Sequence, residues 1–476
     1  MSTPVRVRVR MYQVGFGDCF LLSVEYDEPL PDGRAERHLL IDFGSSHPPR
    51  PGKARGRMAD VAALVDEHTG GVLDVLVVTH RHRDHLRGFE VGAAAAVMKK
   101  LAPKLVLRSW TEDPALAPTA DGPSGAGARA AGPASAAAGA AATRTAGAGS
   151  TAASRAADRA PAAGGVSPAA PAGGVSAASA RYAALLARAQ EHVARLSDVA
   201  GLDDDIRAAA EDQLKNAEAV ALLEELSEDG RGRYLHAGMD LDLAEVVPGL
   251  ETLVLGPPTV DQDPRVAKQR ENDPEYWLTA LDASLRAAGS AAEAGAPTPP
   301  SPPPGPVRWL VERLASERSH SAARLVRDLD DALNNTSLVL LLRVGGVTLL
   351  FPGDAQIENW RHTLDQLPRD AKLRARLARV DLYKVGHHGS RNATPRSLHA
   401  LWKARPDDAP GLTALMSTCE GVHGERDNAV PQTNLVSALR EVAELISTDD
   451  LDTEEYVELV SDAAHGPFVR VAAPGR

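Results

Sequence analysis

The chain has 476 residues, which is enough for one large domain or two ordinary ones. Two cysteines, Cys19 and Cys419, exclude a disulfide framework and fit a reducing compartment, and a formal net charge of −12 argues against an extended basic surface for nucleic acid. The sequence has no signal-peptide core near Met1 and no apolar run close to the roughly 20 residues of a membrane helix, so we expect a cytoplasmic protein with no membrane association.

Residues 1–112 alternate apolar strands with turns, and we interpret them as the first half of a folded core. Segment 5–10 alternates Val and Arg with a period of two, which predicts a strand with one solvent-facing side. An apolar strand at 75–78 lies between two stretches with helical spacing, 58–68 and 85–101. This half therefore has the alternation of strands and helices that is typical of a mixed α/β fold.

The segment that follows the strand at 75–78 reads HRHRDH and concentrates three imidazoles and a carboxylate. His80 and His82 are two residues apart, so their rings project to the same side of an extended chain. Asp84 and His85 fall where the chain turns into a helix, which brings two more ligands to the same place. Imidazole and carboxylate together suit zinc and, with more oxygen, manganese or iron. The alternative is a solvated, histidine-rich loop.

Two inserts interrupt the core. Residues 113–180 consist of Ala, Gly, Pro and Ser with scattered Arg, and they hold too few large apolar residues to bury a core, so we expect disorder there. Residues 181–230 have helical spacing and are expected to pack on the core. Residues 231–476 form the second half of the core, with a proline-rich insert at about 262–330.

The sequence pattern of the second half also predicts helices and strands. Helical patterns occur at about 307–333 and at 433–445. Two strand patterns follow near the end of the chain, at 456–460 and 468–471, and we expect them to pair.

Potential metal ligands recur at strand ends of the second half. The buried-strand pattern 347–351 is followed by Pro-Gly and then Asp354. The strand pattern 382–385 runs into a loop that carries His387 and His388. In the first half, Asp42 stands near the end of the strand pattern 39–43. A lone strand-end aspartate is usually a turn or capping residue, but several strand ends with metal-ligand chemistry form a joint signal.

The order Asp42, His80-x-His82-x-Asp84-His85, Asp354, His387-His388 resembles the metallo-β-lactamase fold hydrolases. Within that superfamily the chain is most similar to the soluble hydrolase domain of ComEC-type DNA-uptake proteins. The resemblance covers residues 5–110 and roughly 231–440, and it does not cover 111–230. The segments that carry the closer resemblance are 14–18 (VGFGD), 334–340 (NNTSLVL), 351–354 (FPGD) and 384–390 (KVGHHGS).

The resemblance implies a four-layer αββα sandwich that holds two divalent metal ions, Zn²⁺ or Mn²⁺, at one edge. His80 and His82 would bind the first ion. Asp84, His85 and His388 would bind the second, and Asp354 would bridge the two ions. The water between the ions would then be acidic enough to provide hydroxide at neutral pH.

The same resemblance gives four residues a catalytic part: Asp84, Asp42, His387 and Lys384. Asp42 would orient a ligand or the bound water, and its alternative role is to hold a turn. His388 is preferred to His387 as the ligand because His388-Gly389-Ser390 fits the way this motif often ends. His387 would then contact the substrate or donate a proton, although the two assignments could be reversed.

One position departs from the family pattern. Most members have a further histidine before the strand that leads to the bridging aspartate, whereas this chain reads LNNTS at 333–337, with Asn334 and Asn335 as the possible replacements. An amide oxygen is a weaker and harder ligand than imidazole. The first ion would therefore be bound less tightly, be manganese rather than zinc, or arrive with the substrate. His236 is the nearest alternative ligand.

Basic residues flank or interleave the histidine motifs and predict a positive rim that could hold phosphate oxygens; they are Arg81, Arg83, Lys384 and Arg391. Solvated arginines are the alternative reading. We expect a metal-dependent phosphodiesterase or nuclease whose substrate is DNA or another phosphodiester. The alternatives are a small-molecule hydrolase for a lactone, thioester or cyclic nucleotide, and a non-catalytic binding protein. The sequence leaves the protein partners of the chain open.

Overall fold

The computed structural model describes residues 2–54, 56–90, 92–116, 175–196, 216–267, 328–422 and 429–471. These residues form a mixed α/β structure with two mixed β-sheets. The predictions for 117–174, for 197–215 and for most of the proline-rich insert lie outside the described residues. Within the described part of the chain, no helix is both long and apolar enough to cross a membrane.

The strands are short to medium in length and are numbered in chain order. They are β1 (Pro4–Tyr12), β2 (Cys19–Tyr26), β3 (Glu36–Phe43), β4 (Val75–Val77), β5 (Leu105–Ser109), β6 (Gly232–Leu235), β7 (Leu250–Gly256), β8 (Val339–Val344), β9 (Val347–Phe351), β10 (Leu382–Lys384), β11 (Leu412–Met416), β12 (Ala443–Ser447), β13 (Tyr456–Asp462) and β14 (His465–Val471).

The α-helices connect these strands or lie in the inserts. They are α1 (Met58–Thr69), α2 (Arg83–Leu86), α3 (Gly92–Leu101), α4 (Ala177–Leu196), α5 (Ala217–Ser227), α6 (Ile357–Leu364), α7 (Ala371–Ala378), α8 (Arg396–Lys403) and α9 (Thr433–Val442). A further helical segment covers 328–334.

Each sheet combines antiparallel and parallel pairing. The first has the order β14-β13-β1-β2-β3-β4-β5-β6, and its pairs are parallel from β3 to β6. The second has the order β12-β11-β10-β9-β8-β7, and its pairs are parallel from β9 to β12. Parallel neighbours have their carboxyl ends at the same edge of a sheet, which is where ligands bind in open α/β sheets. The loops after β3 and β4 therefore lie close together, as do those after β9, β10 and β11.

Three clusters of buried apolar side chains hold the fold together. The largest contains residues of both sheets, for example Leu22 and Leu340. A second joins the first sheet to α1, α3 and α5, and a third joins the second sheet to α6, α7, α8 and α9. Successive side chains of β3 alternate between two of these clusters, because Leu39 and Ile41 belong to the largest and Leu40 belongs to the second.

Most predicted elements that fall on described residues are present. The helix predicted at 58–68 is α1, and the strand pair predicted at 456–460 and 468–471 is β13 and β14, which pair antiparallel. The stretch predicted as a helix at 85–101 is α2, a short 3₁₀ turn at Arg87–Phe89 and α3. The local pattern therefore located these elements correctly, and it did not detect the break between α2 and α3.

Three predictions are wrong in detail. The helix predicted at 433–445 ends at Val442, because residues from Ala443 onward pair with β11 as strand β12. The predicted disordered insert ran to residue 180, whereas α4 begins at Ala177, where Ser179 donates a hydrogen bond to Asp261 (2.9 Å). The solvent-facing side predicted for the first strand stops before Arg10, which is buried and contacts Glu458.

Candidate metal centre

The predicted metal ligands lie in loops at the carboxyl ends of parallel strands from both sheets. The HRHRDH segment follows β4 and runs into α2. Asp354 follows β9, and His388 lies in a 3₁₀ turn at Gly386–Gly389 directly after β10. Residues that are hundreds of positions apart in the chain thus meet where the edges of the two sheets come together.

Four buried residues form a group that could hold a metal ion: Asp18, His85, Asp354 and His388. Each offers one ligand atom, and these atoms all lie within 4.8 Å of one another. Within the group, Oδ2 of Asp354 is 3.2 Å from Nε2 of His85 and 3.3 Å from Nε2 of His388. The predicted bridging aspartate therefore contacts two of the predicted histidine ligands.

Asp84 approaches the same imidazoles. Its Oδ2 is 2.9 Å from Nε2 of His388 and 3.9 Å from Nε2 of His85. The contacts among Asp84, His85, Asp354 and His388 lie at 2.9 to 3.9 Å, so Asp84 lies directly beside the group that could hold a metal ion.

The second ring nitrogen of each of these histidines is bound to an acceptor. Nδ1 of His85 donates to Oδ2 of Asp42 (2.8 Å), and Nδ1 of His388 donates to the carbonyl oxygen of Ser417 (2.9 Å). Because a carbonyl or an ionised carboxylate only accepts, both histidines carry the proton on Nδ1. Nε2 is left to face the carboxylates, which is how a second contact orients a metal-binding histidine.

Asp42 stabilises the loop that carries the HRHRDH segment. Its oxygens accept hydrogen bonds from the backbone N–H of Thr79 (2.8 Å) and from the Thr79 hydroxyl (2.7 Å), besides the one from His85. Its backbone is in the left-handed region (φ 55°), which a short polar side chain tolerates better than most others. Asp42 thus orients the His85 ring, and its part in metal binding remains a prediction.

His80 and His82 lie beside this group and face each other. The Thr79 hydroxyl proton goes to Asp42, so its oxygen accepts from Nδ1 of His80 (3.1 Å). Nε2 of His80 is then unprotonated, and it lies 2.9 Å from Nδ1 of His82. The His80 and His85 rings are 4.2 Å apart between centroids. Two imidazole nitrogens this close need a proton or a cation between them.

Asp18 was missed as a site residue. Its carboxylate forms an ion pair with Lys384 and lies 3.7 Å from Nδ1 of His85 and 3.6 Å from Nδ1 of His388. The segment 14–18 entered the sequence analysis only through the resemblance. Asp18 follows Gly17 as Asp354 follows Gly353, and that similarity would have identified Asp18 as a candidate.

Lys384 is not part of a solvent-facing rim, and that expectation is wrong. The side chain is 2% exposed, and Nζ contacts Asp18, Oδ1 of Asp354 (3.1 Å) and the carbonyl oxygen of Gly353 (3.0 Å). Burial alone would lower the pKa of Lys384, but the two carboxylates outweigh it and raise the pKa. Strand β10 points this side chain into the protein, where a charged amine needs carboxylate partners. Its catalytic role remains a prediction.

Neighbouring carboxylates raise the pKa values of two of the site histidines against the effect of burial. Burial alone would lower the pKa of His388, but Asp354 and Asp18 raise it to about 10. The pKa of His85 is likewise raised well above its usual range, by Asp354, Asp42 and Asp84. The pKa of His80 is lowered well below its usual range by burial and by the neighbouring His85 and His82. The carboxylate-rich side of the centre thus favours positive charge, as a cation site must.

His388, and not His387, lies in the group of four residues that could hold a metal ion. Both residues have left-handed backbone torsions, which turn the two side chains in different directions. Nδ1 of His387 is 2.9 Å from the Ser390 hydroxyl, and burial lowers the pKa of His387 to about 4. His387 is therefore a neutral imidazole beside the site, and its catalytic role remains a prediction.

The other candidate ligands and basic residues are engaged elsewhere. Nδ1 of His236 lies 3.0 Å from the carbonyl oxygen of Ala237, and the group found among the described residues that could hold a metal ion does not include His236. Of the basic residues in the first motif, Nε of Arg81 is 3.2 Å from Glu112, and Nε of Arg83 is 3.8 Å from Glu90. Part of the predicted positive rim is therefore neutralised.

No protein-family model matches this chain, and no curated protein matches it.

Proposed function

We propose that this chain is a metal-dependent hydrolase with the metallo-β-lactamase fold, most similar to the hydrolase domain of ComEC-type proteins. The observation that carries the proposal is the convergence of imidazole nitrogens and carboxylate oxygens where both sheets meet, with the outer nitrogens of the imidazoles held by protein acceptors. The three apolar clusters support the fold assignment, because an αββα sandwich needs one core between its sheets and one under each helical layer.

Each site residue has a separate role in the proposed reaction. Divalent cations at this site would supply Lewis-acid activation of water and of the substrate. Asp42 and the Ser417 carbonyl keep His85 and His388 in the tautomer that leaves Nε2 available. Lys384 holds Oδ1 of Asp354, so that Oδ2 faces the imidazoles. We assign to His387, which is neutral and lies beside the site, the transfer of a proton to or from the substrate.

A phosphodiester is the substrate that we propose, and DNA is the first candidate. Carboxylate-rich cation sites suit the hard oxygens of phosphate, and paired cations are the usual catalysts of its in-line displacement. The arginines in the HRHRDH segment lie next to the ligands and are partly exposed, which allows a phosphate to compete for them.

A small-molecule hydrolase is the alternative, and its substrate would be a lactone, a thioester or a cyclic nucleotide. A narrow cavity lies between Arg81, Glu112, Thr336 and α4 residues including Leu186, and its volume of about 20 Å³ is room for little more than one water molecule. This cavity therefore does not favour a small-molecule substrate over a phosphodiester.

The test is hydrolysis by the purified full chain with added Zn²⁺ or Mn²⁺. Substrates are linear duplex DNA, single-stranded DNA, bis(4-nitrophenyl) phosphate and an acyl-homoserine lactone. The variants are Asp354→Ala and a matched surface change, Asp408→Asn, whose side chain is 74% exposed. We expect phosphodiester cleavage that only Asp354→Ala abolishes.

Other outcomes separate the alternatives. Cleavage of the lactone alone would favour the small-molecule hydrolase. Stoichiometric metal binding without turnover of any substrate would favour a non-catalytic protein, and absence of metal binding would contradict the whole proposal.

A further inference from the structure

Arg81 follows His80 in the HRHRDH loop, but its side chain contacts a different part of the molecule. The His80 ring faces the His85 ring at a centroid distance of 4.2 Å. Nε of Arg81 instead lies 3.2 Å from Oε2 of Glu112, which belongs to the 3₁₀ turn that follows β5. The charge of Arg81 therefore lies beside the imidazoles rather than among them.

Glu112 neutralises Arg81 only in part, because it also binds Arg108. Its Oε2 accepts hydrogen bonds from Nε (2.9 Å) and Nη2 (2.6 Å) of Arg108. Burial alone would raise the pKa of Glu112, but Arg108 and Arg81 lower it, so the carboxyl group is ionised. A guanidinium group stays protonated in proteins. Two guanidinium groups and one carboxylate therefore leave this cluster with a net positive charge.

Arg81 is the member of this cluster that reaches solvent. Arg108 and Glu112 are buried, whereas the Arg81 side chain is 23% exposed. Within the described part of the chain, Glu112 is the one side-chain partner of the Arg81 guanidinium. Because a guanidinium presents five donors in a planar fork, Arg81 can bind a further anion while it keeps its contact with Glu112.

Residues 111–230, which the family resemblance does not cover, hold Arg81 in place. The Asn216 amide donates a hydrogen bond to the carbonyl oxygen of Arg81. Helix α4 packs on the 3₁₀ turn after β5, where the rings of Tyr182 and Trp110 lie 6.3 Å apart between centroids. The support of Arg81 is therefore a feature of this chain's insert and is not part of the resemblance.

The narrow cavity between Arg81 and α4 indicates where an anion would bind. Gln190 of α4 lines this cavity together with Arg81. Because the cavity has room for little more than one water molecule, a phosphate group cannot enter it. An anionic group would therefore bind at its opening, where the Arg81 side chain is exposed and Gln190 offers an amide.

We propose that Arg81, positioned by Glu112 and Arg108, binds a second anionic group of the substrate, beside the phosphodiester that is cleaved. This inference rests on the proposed function and narrows its substrate to a polyanion. A DNA strand carries one negative charge per about 3.4 Å of helix axis, so a flanking phosphate is present along the whole strand. A cyclic nucleotide, by contrast, has only the phosphate that would be cleaved.

The experiment compares the hydrolysis of three dinucleotides by the purified full chain with Mn²⁺. They are thymidylyl-thymidine and the same dinucleotide with a further phosphate at its 5′ end or at its 3′ end. We expect one of the two further phosphates to lower KM about 10-fold, the usual effect of one charge-assisted hydrogen bond. Arg81→Met abolishes this difference in KM. Arg81→Lys restores part of it, since lysine keeps the charge and loses the fork.

Arg379→Met is the matched control. Arg379 is 45% exposed and pairs with Asp408 on the surface, so the same substitution removes an exposed guanidinium that has a carboxylate partner. This variant is expected to keep the difference in KM that the wild type shows.

Glu112 and Arg108 are tested together, because removal of Glu112 alone leaves Arg108 buried without its partner. The double variant Arg108→Met, Glu112→Gln removes both charges. We expect the difference in KM between the dinucleotides to shrink, because Arg81 keeps its charge but is no longer held in one orientation. If the two residues had only a structural role, KM would change equally for all three dinucleotides and the difference would persist.

Binding of thymidine 3′,5′-bisphosphate to the chelated protein is a second measurement, and it needs no turnover. Isothermal titration calorimetry compares the wild type with Arg81→Met and Arg379→Met. We expect Arg81→Met alone to weaken binding, by about 10-fold.

The outcomes separate this inference from the proposed function. Equal KM values for the three dinucleotides in the wild type, or a difference that Arg81→Met preserves, would overturn the inference and leave the proposed function intact. If no dinucleotide is cleaved, the proposed function fails and the calorimetry decides on Arg81. Weaker binding in Arg81→Met alone would then support an anion site at Arg81, and equal binding in both variants would overturn the inference as well.

Discussion

Asp42 links the backbone at the start of the HRHRDH segment to the orientation of His85. Asp42→Asn keeps a residue that tolerates a left-handed backbone, but it removes the negative charge opposite Nδ1 of His85. We therefore expect metal affinity to fall about 10- to 100-fold, with the fold retained. Competition with a chromophoric chelator measures the change. An affinity equal to that of the surface variant Asp408→Asn would show that Asp42 only holds a turn.

The buried ion pair of Lys384 with Asp18 and Asp354 makes a second prediction. Lys384→Met leaves two buried carboxylates without their cation, and we expect a loss of about 3–5 kcal/mol in the free energy of unfolding. Adding Asp18→Asn removes one of those charges, so the double variant should be more stable than Lys384→Met alone. Urea unfolding in the presence of a chelator measures both. Strictly additive losses would contradict a coupled pair.

The raised pKa of His388 predicts how the stability of the metal-free protein depends on pH. Its pKa is raised from its ordinary 6.5 to about 10: burial opposes the shift, and Asp354 and Asp18 cause it. Because the folded state binds the proton more tightly, this contribution to stability is fully present below about pH 6.5 and is lost as the pH rises towards 10.

The check is the urea midpoint of the chelated protein between pH 6 and pH 10. We expect the midpoint of the wild type to fall more steeply than that of His388→Gln, which has no proton to lose. Parallel profiles would show that His388 is not the titrating group.

At the scale of elements, the end of β3 packs directly on the start of α2. A Cβ added at Gly44 would lie 2.5 Å from backbone atoms of Asp84 and His85. We expect Gly44→Ala to displace these two ligands, to weaken metal binding and to cost about 1–3 kcal/mol in stability. Gly411→Ala is the control, since an added Cβ there meets no atom within 4 Å. Chelator competition and thermal unfolding of both variants measure the difference, and equal behaviour would refute the close packing.

At the scale of the whole molecule, a bound cation would join the two sheets. Asp84 and His85 follow a strand of the first sheet, and Asp354 and His388 follow strands of the second. Since the unfolded chain does not hold these ligands together, a free metal concentration of about 100 times Kd should stabilise the protein by about 2.7 kcal/mol. We expect a chelator to lower Tm and Asp354→Ala to abolish this shift. A Tm that is unaffected by chelator in the wild type would contradict a metal bridge.

The sequence by itself determined the parts that depend on local pattern. Helical spacing located α1, an apolar run located the strand before the HRHRDH loop, and strand patterns located the β13–β14 pair. The ligand-rich loops were visible as short motifs. Local pattern could not show where α9 gives way to β12, because pairing with β11 decides that boundary. Composition likewise did not predict that α4 begins before residue 180.

Only the tertiary structure decided what each side chain contacts. It brought Asp18 to the imidazoles, buried Lys384 between two carboxylates, and placed Asn334 against His82. These facts depend on distances between residues up to several hundred positions apart, and no local pattern contains them. The physical reason is that a ligand's protonation and orientation are determined by the atoms around it, whereas its presence in the chain is a property of the sequence alone.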